Sequence, residues 1–230
     1  MGLSLSSDSD QNQSMLKLVI NSPKGGVGKT TIATNAALLL ASQEIKVLAL
    51  DLAGGLRMSK YIRNKQAEDA KKYGNIEIRE AEYEELPDDS IRGGRNYQVM
   101  IADTDDYYKI LENLCDPKRK GWRAIAPIIP DDTIGLERIA EELGAIATAQ
   151  AIARKNIPIR ILPNRCGREQ EIETDLEIIR TSLEQRGIAG LMSQYYIYNS
   201  KAACAPIFIE QDEIFQSQLQ SVLSEVGLFK

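Results

Sequence analysis

Between an apolar run and a strong helix former lies the nonapeptide Pro-Lys-Gly-Gly-Val-Gly-Lys-Thr-Thr, Pro23 to Thr31. No other stretch restricts the fold as tightly. Leu16 to Asn21 (LKLVIN) before it is apolar and β-branched, and Thr30 to Ala41 (TTIATNAALLLA) after it predicts a helix. A glycine-rich loop that leaves a buried strand and opens a helix is the setting of a phosphate-binding loop. The pattern GxxxxGK[ST] is met in altered form, because Pro23 stands where its first Gly is usual. Gly25, Gly26 and Gly28, with Val27 among them, let the backbone turn its N–H groups around phosphate oxygens. The helix starting near Thr30 and Thr31 adds its positive N-terminus. Lys29 is placed to reach the β- and γ-phosphates, and the Thr30 hydroxyl to ligate Mg²⁺. The plainer alternative is a turn that merely joins strand to helix.

The same alternation continues downstream. Lys46 to Leu52 (KVLALDL), Tyr97 to Asp103 (YQVMIAD), Ala124 to Ile129 (AIAPII) and Ile157 to Leu162 (IPIRIL) read as buried strands. Thr133 to Lys155, Glu171 to Arg186 and Glu213 to Val226 carry helical patterns. Strands that are apolar almost throughout, alternating with helices, predict an α/β fold: one mostly parallel twisted sheet with helices on both faces. With no repeat, Pro/Gly-rich linker or composition break, residues 15–230 read as a single domain. The polar residues 1–14 read as a flexible tail, with Met15 a possible second start, and Glu68 to Arg95 as a surface excursion.

Composition narrows the chemistry. The chain has no histidine, which excludes Ser-His-Asp and Cys-His catalysis, histidine metal sites and a histidine pH switch. Cys115, Cys166 and Cys204 form no CxxC pair and read as reduced thiols of a cytoplasmic protein. The net charge of −5 leaves room only for a local nucleic-acid patch. No apolar stretch approaches the roughly 18–20 residues of a membrane span.

Two acids end predicted strands at the carboxyl edge, where open α/β sheets bind ligands. Asp51 closes the second strand, and Asp103, preceded by Val99 to Ala102, closes the third in a Walker B pattern. A carboxylate there can hold Mg²⁺ through water, and either acid alone is also an ordinary turn former.

Lys24, at the start of the loop, is not easily explained as a second local phosphate ligand. With it the segment KGGVGKT resembles the signature KGGxGK[ST] of the ParA/MinD family of deviant Walker ATPases, and the resemblance extends over nearly all of residues 15–230. It implies a P-loop fold that binds ATP and Mg²⁺ and forms an ATP-dependent homodimer. Lys24 would then cross the interface to the partner's nucleotide, where facing polyphosphates need extra cations. The competing reading of Lys24 is a solvated loop lysine. Asp51-Leu-Ala-Gly-Gly-Leu-Arg resembles the family's switch I, but Ala53 stands where a second Asp supports water attack. Alanine cannot orient water or accept its proton. The resemblance therefore implies slow hydrolysis, or the use of another residue. Ala53 reflects either a naturally impaired chain or a substitution that traps the ATP state, and the intact surroundings favour the second. Thr104-Asp105-Asp106 resembles switch II, where Pro is more usual than the acids. Asn164, followed by Arg165, matches the family's adenine-contacting Asn, whose amide offers one donor and one acceptor. An ordinary turn Asn is the alternative. Ala205-Pro206-Ile207 loosely resembles the family's late loop beside the base.

The resemblance also frames what the switch acts on. ParA-type members bind nonspecific DNA as ATP dimers and position plasmids, chromosomes or large cargo, with hydrolysis stimulated by an adaptor protein. MinD-type members bind membrane through a basic amphipathic C-terminal helix. Here the last helix carries Glu210, Asp212, Glu213 and Glu225. Anionic lipid repels such a helix, so membrane attachment is disfavoured. The densest basic cluster is Lys118, Arg119, Lys120 and Arg123 around Trp122. Arg154, Lys155, Arg165, Arg168, Arg180 and Lys201 could extend it late in the chain. The cluster reads either as a DNA phosphate patch or as solvated surface. The ParA-type reading puts the protein in the cytoplasm, on the nucleoid. An iron–sulfur relative would need cysteines at the dimer axis, and the placement of Cys115 and Cys166 does not support one.

Overall fold

The computed structural model describes residues 15–82, 84–87, 96–105, 107–116, 118–130, 137, 158–167, 170–200 and 212–229. Among them seven strands form one sheet: β1 (Leu16–Ile20), β2 (Val47–Asp51), β3 (Ile76–Glu80), β4 (Val99–Asp103), β5 (Trp122–Ile128), β6 (Ile159–Cys166) and β7 (Ile197–Tyr198). They lie in the order β3-β2-β4-β1-β5-β6-β7, and every pair is parallel. The helices are α1 (Lys29–Ser42), α2 (Arg57–Glu68), α3 (Ala70–Tyr73), α4 (Tyr107–Cys115), α5 (Gln170–Glu184) and α6 (Glu213–Glu225).

Alternate strand residues feed two cores, as the twofold repeat of a strand requires. Leu18, Ile20, Val47, Ala49, Val99 and Ile101 face α1, α2, α3 and α6. Val19, Leu48, Leu50, Met100 and Ala102 face the other way, toward Ile110 and Leu114 of α4 and Ile179 and Leu183 of α5. Both sheet faces are covered, which is why the strands read as continuous apolar runs. Helix α1 is buried from Thr31 to Ala41, since α2, α3 and α6 pack around it. It ends at Ser42, and the left-handed Glu44 (φ 63°) turns the chain so that Ile45 N donates back to Leu40 O at 3.2 Å. The face Phe215, Leu219, Val222 and Leu223 of α6 is spent on the first core. Asp212 caps that helix by accepting from Phe215 N at 2.9 Å.

One expectation is corrected. Glu68 to Arg95 is not only a surface excursion, because β3 lies within it and pairs with β2 from Val47↔Ile76 to Asp51↔Glu80. As an edge strand with one wet side it alternates (IEIRE), and its charges hid it. The helix expected over Thr133 to Lys155 and the tail at residues 1–14 lie outside the described residues, as do Arg154, Lys155, Arg168, Lys201, Cys204 and Ala205-Pro206-Ile207.

Candidate nucleotide site

The ends of β2, β4 and β1 lie level, because Asp51 pairs with Asp103 and Asp103 with Ile20. The loop leaving β1 therefore opens beside both acids, where the strand order diverges on either side of β1. Its geometry depends on glycine: Gly26 and Gly28 have φ of +79° and +98°. Gly25 and Gly26 are exposed, while Val27 and Gly28 are buried. Ile32 N donates to Gly28 O at 2.9 Å, which starts the hydrogen-bond ladder of α1.

Lys29 is folded into this loop. Its Nζ donates to Lys24 O at 2.9 Å and Ser22 O at 3.3 Å. Burial holds its pKa below the ordinary lysine value, while the charges of Asp105 and Asp103 pull it back up. Thr30 is half-buried, and Thr31 is buried with its carbonyl accepting from Asn35 Nδ2 at 2.8 Å. Lys24 stands exposed on the outer rim.

The two acids are fully buried. Asp51 Oδ2 accepts from Ser59 N at 2.7 Å, in the first turn of α2, while Asp51 Oδ1 has no partner at hydrogen-bond geometry among the described residues. Neither oxygen of Asp103 has one among them either, although the Thr30 hydroxyl lies close enough to favour its charged form. Burial pushes the Asp103 carboxyl up to about 7, with the Thr30 hydroxyl opposing and the charges of Asp51 and Asp105 adding to the rise. Burial also raises Asp51, against the N–H groups of Ser59 and Ala53. Buried carboxylate oxygens without partners are costly unless a cation completes them. Three such oxygens beside the Thr30 hydroxyl form the hard-oxygen set that suits Mg²⁺. Among the described residues no group of three or more acidic, Cys or His ligands gathers. A cation that takes its remaining ligands from phosphate and water needs no such group.

Thr104 ties the loop after β4 to β1 through Ile20 O at 3.3 Å and Asn21 Oδ1 at 3.1 Å. Nothing local to the sequence marks Ser59 as the partner of Asp51, nor Gly54 as the partner of Asp105, whose Oδ2 accepts from Gly54 N at 2.9 Å. Both contacts join segments that only the sheet brings together.

Two expected site regions make contacts that local sequence does not show. Asn164, expected to offer a donor and an acceptor to adenine, has its Nδ2 donating to Val27 O at 2.7 Å. The side chain is buried and braces the phosphate loop, and its Oδ1 has no partner among the described residues. Arg165 follows in the left-handed region at φ 56°, at the bulge where β6 meets β7, with Nε buried and without a partner among the described residues. The basic cluster is the second region. Lys118, Arg119, Lys120 and Arg123 sit at the amino end of β5, the sheet edge opposite the phosphate loop. Trp122 is buried, and Arg119 is engaged with Glu85, Asp116 and Leu86 O. Arg119 is thus an internal clamp and not a free cation for a phosphate backbone.

The CobQ/CobB/MinD/ParA nucleotide binding domain matches residues 18–201. No curated protein matches the chain. Among solved structures, the ATP complex of an Asp-to-Ala variant of Cyanothece McdA aligns with TM-score 0.63 at 15% identity, over 95% of this chain and 98% of that one. A plasmid partition protein of Borrelia burgdorferi bound to AMPPNP aligns at 0.59 and 16%, over 92% and 98%. The MinC:MinD cell division complex of Aquifex aeolicus aligns at 0.60 and 18%, over 92% and 96%. Residues 18–201 are most of this sequence, and the phosphate loop, Asp51 and Asp103 all fall inside that match: the chain belongs to the CobQ/CobB/MinD/ParA nucleotide-binding family.

Proposed function

We propose that this chain is an ATP-driven switch of the ParA type. ATP binds in the loop from Lys24 to Thr31, and two copies close on two nucleotides, each lending Lys24 to the other's ligand. Lys29 leaves its two carbonyls for the phosphates, and Asn164 holds Val27 and hence the loop in shape. Asp51, Asp103 and Thr30 would hold Mg²⁺, which neutralises phosphate charge when bound. The observation that carries the reading is the three buried carboxylate oxygens without hydrogen-bond partners among the described residues, beside a lysine folded into its own loop. That site is built for charges that the protein alone does not supply.

The cargo side follows the ParA branch: nonspecific DNA bound by the ATP dimer, and an adaptor protein that stimulates slow hydrolysis. The last helix favours this branch over a MinD-type membrane switch. Its apolar face, Phe215, Leu219, Val222 and Leu223, is already packed on the core. With Arg119 engaged internally, Lys118, Lys120 and Arg123 are the cluster members left for a phosphate backbone.

Light scattering with Mg²⁺ and ATP should show the mass doubling, and Lys24→Ala should stay monomeric while still binding ATP. DNA retention should require ATP over ADP and fall steeply with salt. An unchanged mass at high protein concentration would refute the switch, and liposome sedimentation with ATP would move the reading to the membrane branch.

A further inference from the structure

The switch I turn lacks its expected acid. Ala53 is 3% exposed, and Leu56 N closes the turn on Ala53 O at 3.3 Å. The N–H of the next residue, Gly54, donates to Asp105 Oδ2 at 2.9 Å. That bond spans the loops after β2 and β4 and sets a carboxylate one residue from Ala53. Asp105 is exposed, and its charge acts on both Lys29 and Asp103. It therefore sits at the mouth of the phosphate loop with Gly54 N as its hydrogen-bond partner among the described residues.

Two other described carboxylates at this edge are committed. Asp51 Oδ2 holds Ser59 N, and its other oxygen belongs with Asp103 to the cation set. Glu80 is paired with Arg63 at the sheet edge. Switch II also departs from its usual sequence at this position, with an acid where Pro is common. An acid absent from one loop and an acid added to the facing loop meet across a single hydrogen bond.

We propose that Asp105 is the water-orienting carboxylate of this chain, standing in from switch II for the acid that Ala53 lacks. This rests on the nucleotide-switch reading above. Gly54 N–H fixes one carboxylate oxygen, and the other accepts a hydrogen bond from the attacking water. The water oxygen bonds to the γ-phosphorus as the bond from phosphorus to the β–γ bridging oxygen breaks. The bridging oxygen keeps the electron pair and leaves on ADP, and both water protons end on the released phosphate. Asp105 takes up no net proton. Its work is orientation, which fixes the approach of the nucleophile.

The test uses the full chain with Mg²⁺ and ATP. ATP affinity is measured directly, phosphate release is followed, and bound nucleotide is identified by acid quench and chromatography. Asp105→Asn keeps an acceptor for Gly54 N but weakens the pull on water. It should bind ATP within about 3-fold of the parent chain, retain it as ATP, and turn over about 100-fold more slowly. Asp105→Glu should stay within about 10-fold of the parent, and Ala53→Asp with Asp105→Asn should recover at least about 10-fold over Asp105→Asn alone. If Ala53→Asp does not fold, because that site is buried, the Asn and Glu variants decide. Parent-like turnover in Asp105→Asn overturns the proposal, as does an equal loss in Asp105→Glu or a folded double variant without recovery. A parent chain that binds ATP and never hydrolyses it overturns the proposal and spares the binding site. A chain that does not bind ATP overturns the nucleotide reading itself.

Discussion

Gly28 and Asn164 offer a direct test of how the phosphate loop is held. A Cβ added at Gly28 would lie 2.5 Å from Asn164 Nδ2 and 3.8 Å from its Cγ. That nitrogen donates to Val27 O in a buried bond of 2.7 Å. Gly28→Ala therefore carries two costs. A left-handed backbone at φ +98° costs an L-residue about 1–2 kcal/mol. Displacing the amide leaves a buried carbonyl unpaired, at about 1–3 kcal/mol. The single variant should lose about 2–5 kcal/mol of stability, the sum of those two terms. Asn164→Ala alone should lose about 1–3 kcal/mol, because it strands the same carbonyl. Once Asn164 is truncated the collision is gone, and Gly28→Ala then costs only its backbone term. The double variant should be more stable than additivity predicts by about 1–3 kcal/mol. Urea unfolding of the four forms at one pH gives this coupling, read from midpoints at a constant slope. Additivity within about 0.5 kcal/mol would refute the contact and the bracing role with it.

Asp103 supplies a pH prediction. Burial pushes its pKa up to about 7 from the ordinary aspartate value of 3.8, so the folded chain keeps a proton that the unfolded chain releases. The nucleotide-free protein should therefore lose stability as pH rises from about 4 to about 7, and Asp103→Asn should remove that contribution. Asp51 is shifted in the same direction and leaves a residual slope. Urea midpoints at pH 5 and pH 8 test this, and parallel profiles of parent and Asp103→Asn would refute it. At the opposite sheet edge, Arg119 is 16% exposed and holds Leu86 O at 2.6 Å between two acids. Arg119→Ala should cost about 1–3 kcal/mol of stability. Lys118→Ala should stay within about 0.5 kcal/mol of the parent. Equal melting of the two variants would return Arg119 to the solvated surface.

The residues themselves announced the strand, loop and helix around Lys29, the alternation that makes a parallel sheet, and the two acids that end β2 and β4. Each is a local pattern, because periodicity, glycine spacing and strand ends are properties of short segments. β3 escaped, since an edge strand mixes charges into its alternation and looks like a polar loop. Asn164 was found and its contact was not: its partner Val27 lies 137 positions away. Asp105 and Gly54 are 51 positions apart, and Arg119 and Glu85 are 34 apart. Those pairs depend on which strands lie side by side and on how the loops at each sheet edge pack. Burial is set the same way: the sequence places Asp103 at a strand end, but only neighbours folded around it take its carboxyl out of water. The chain thus declared its phosphate loop by itself. The partners of that loop, the charge state of its acids and the engagement of its basic cluster were decided in three dimensions, where desolvation and distance act and sequence separation does not.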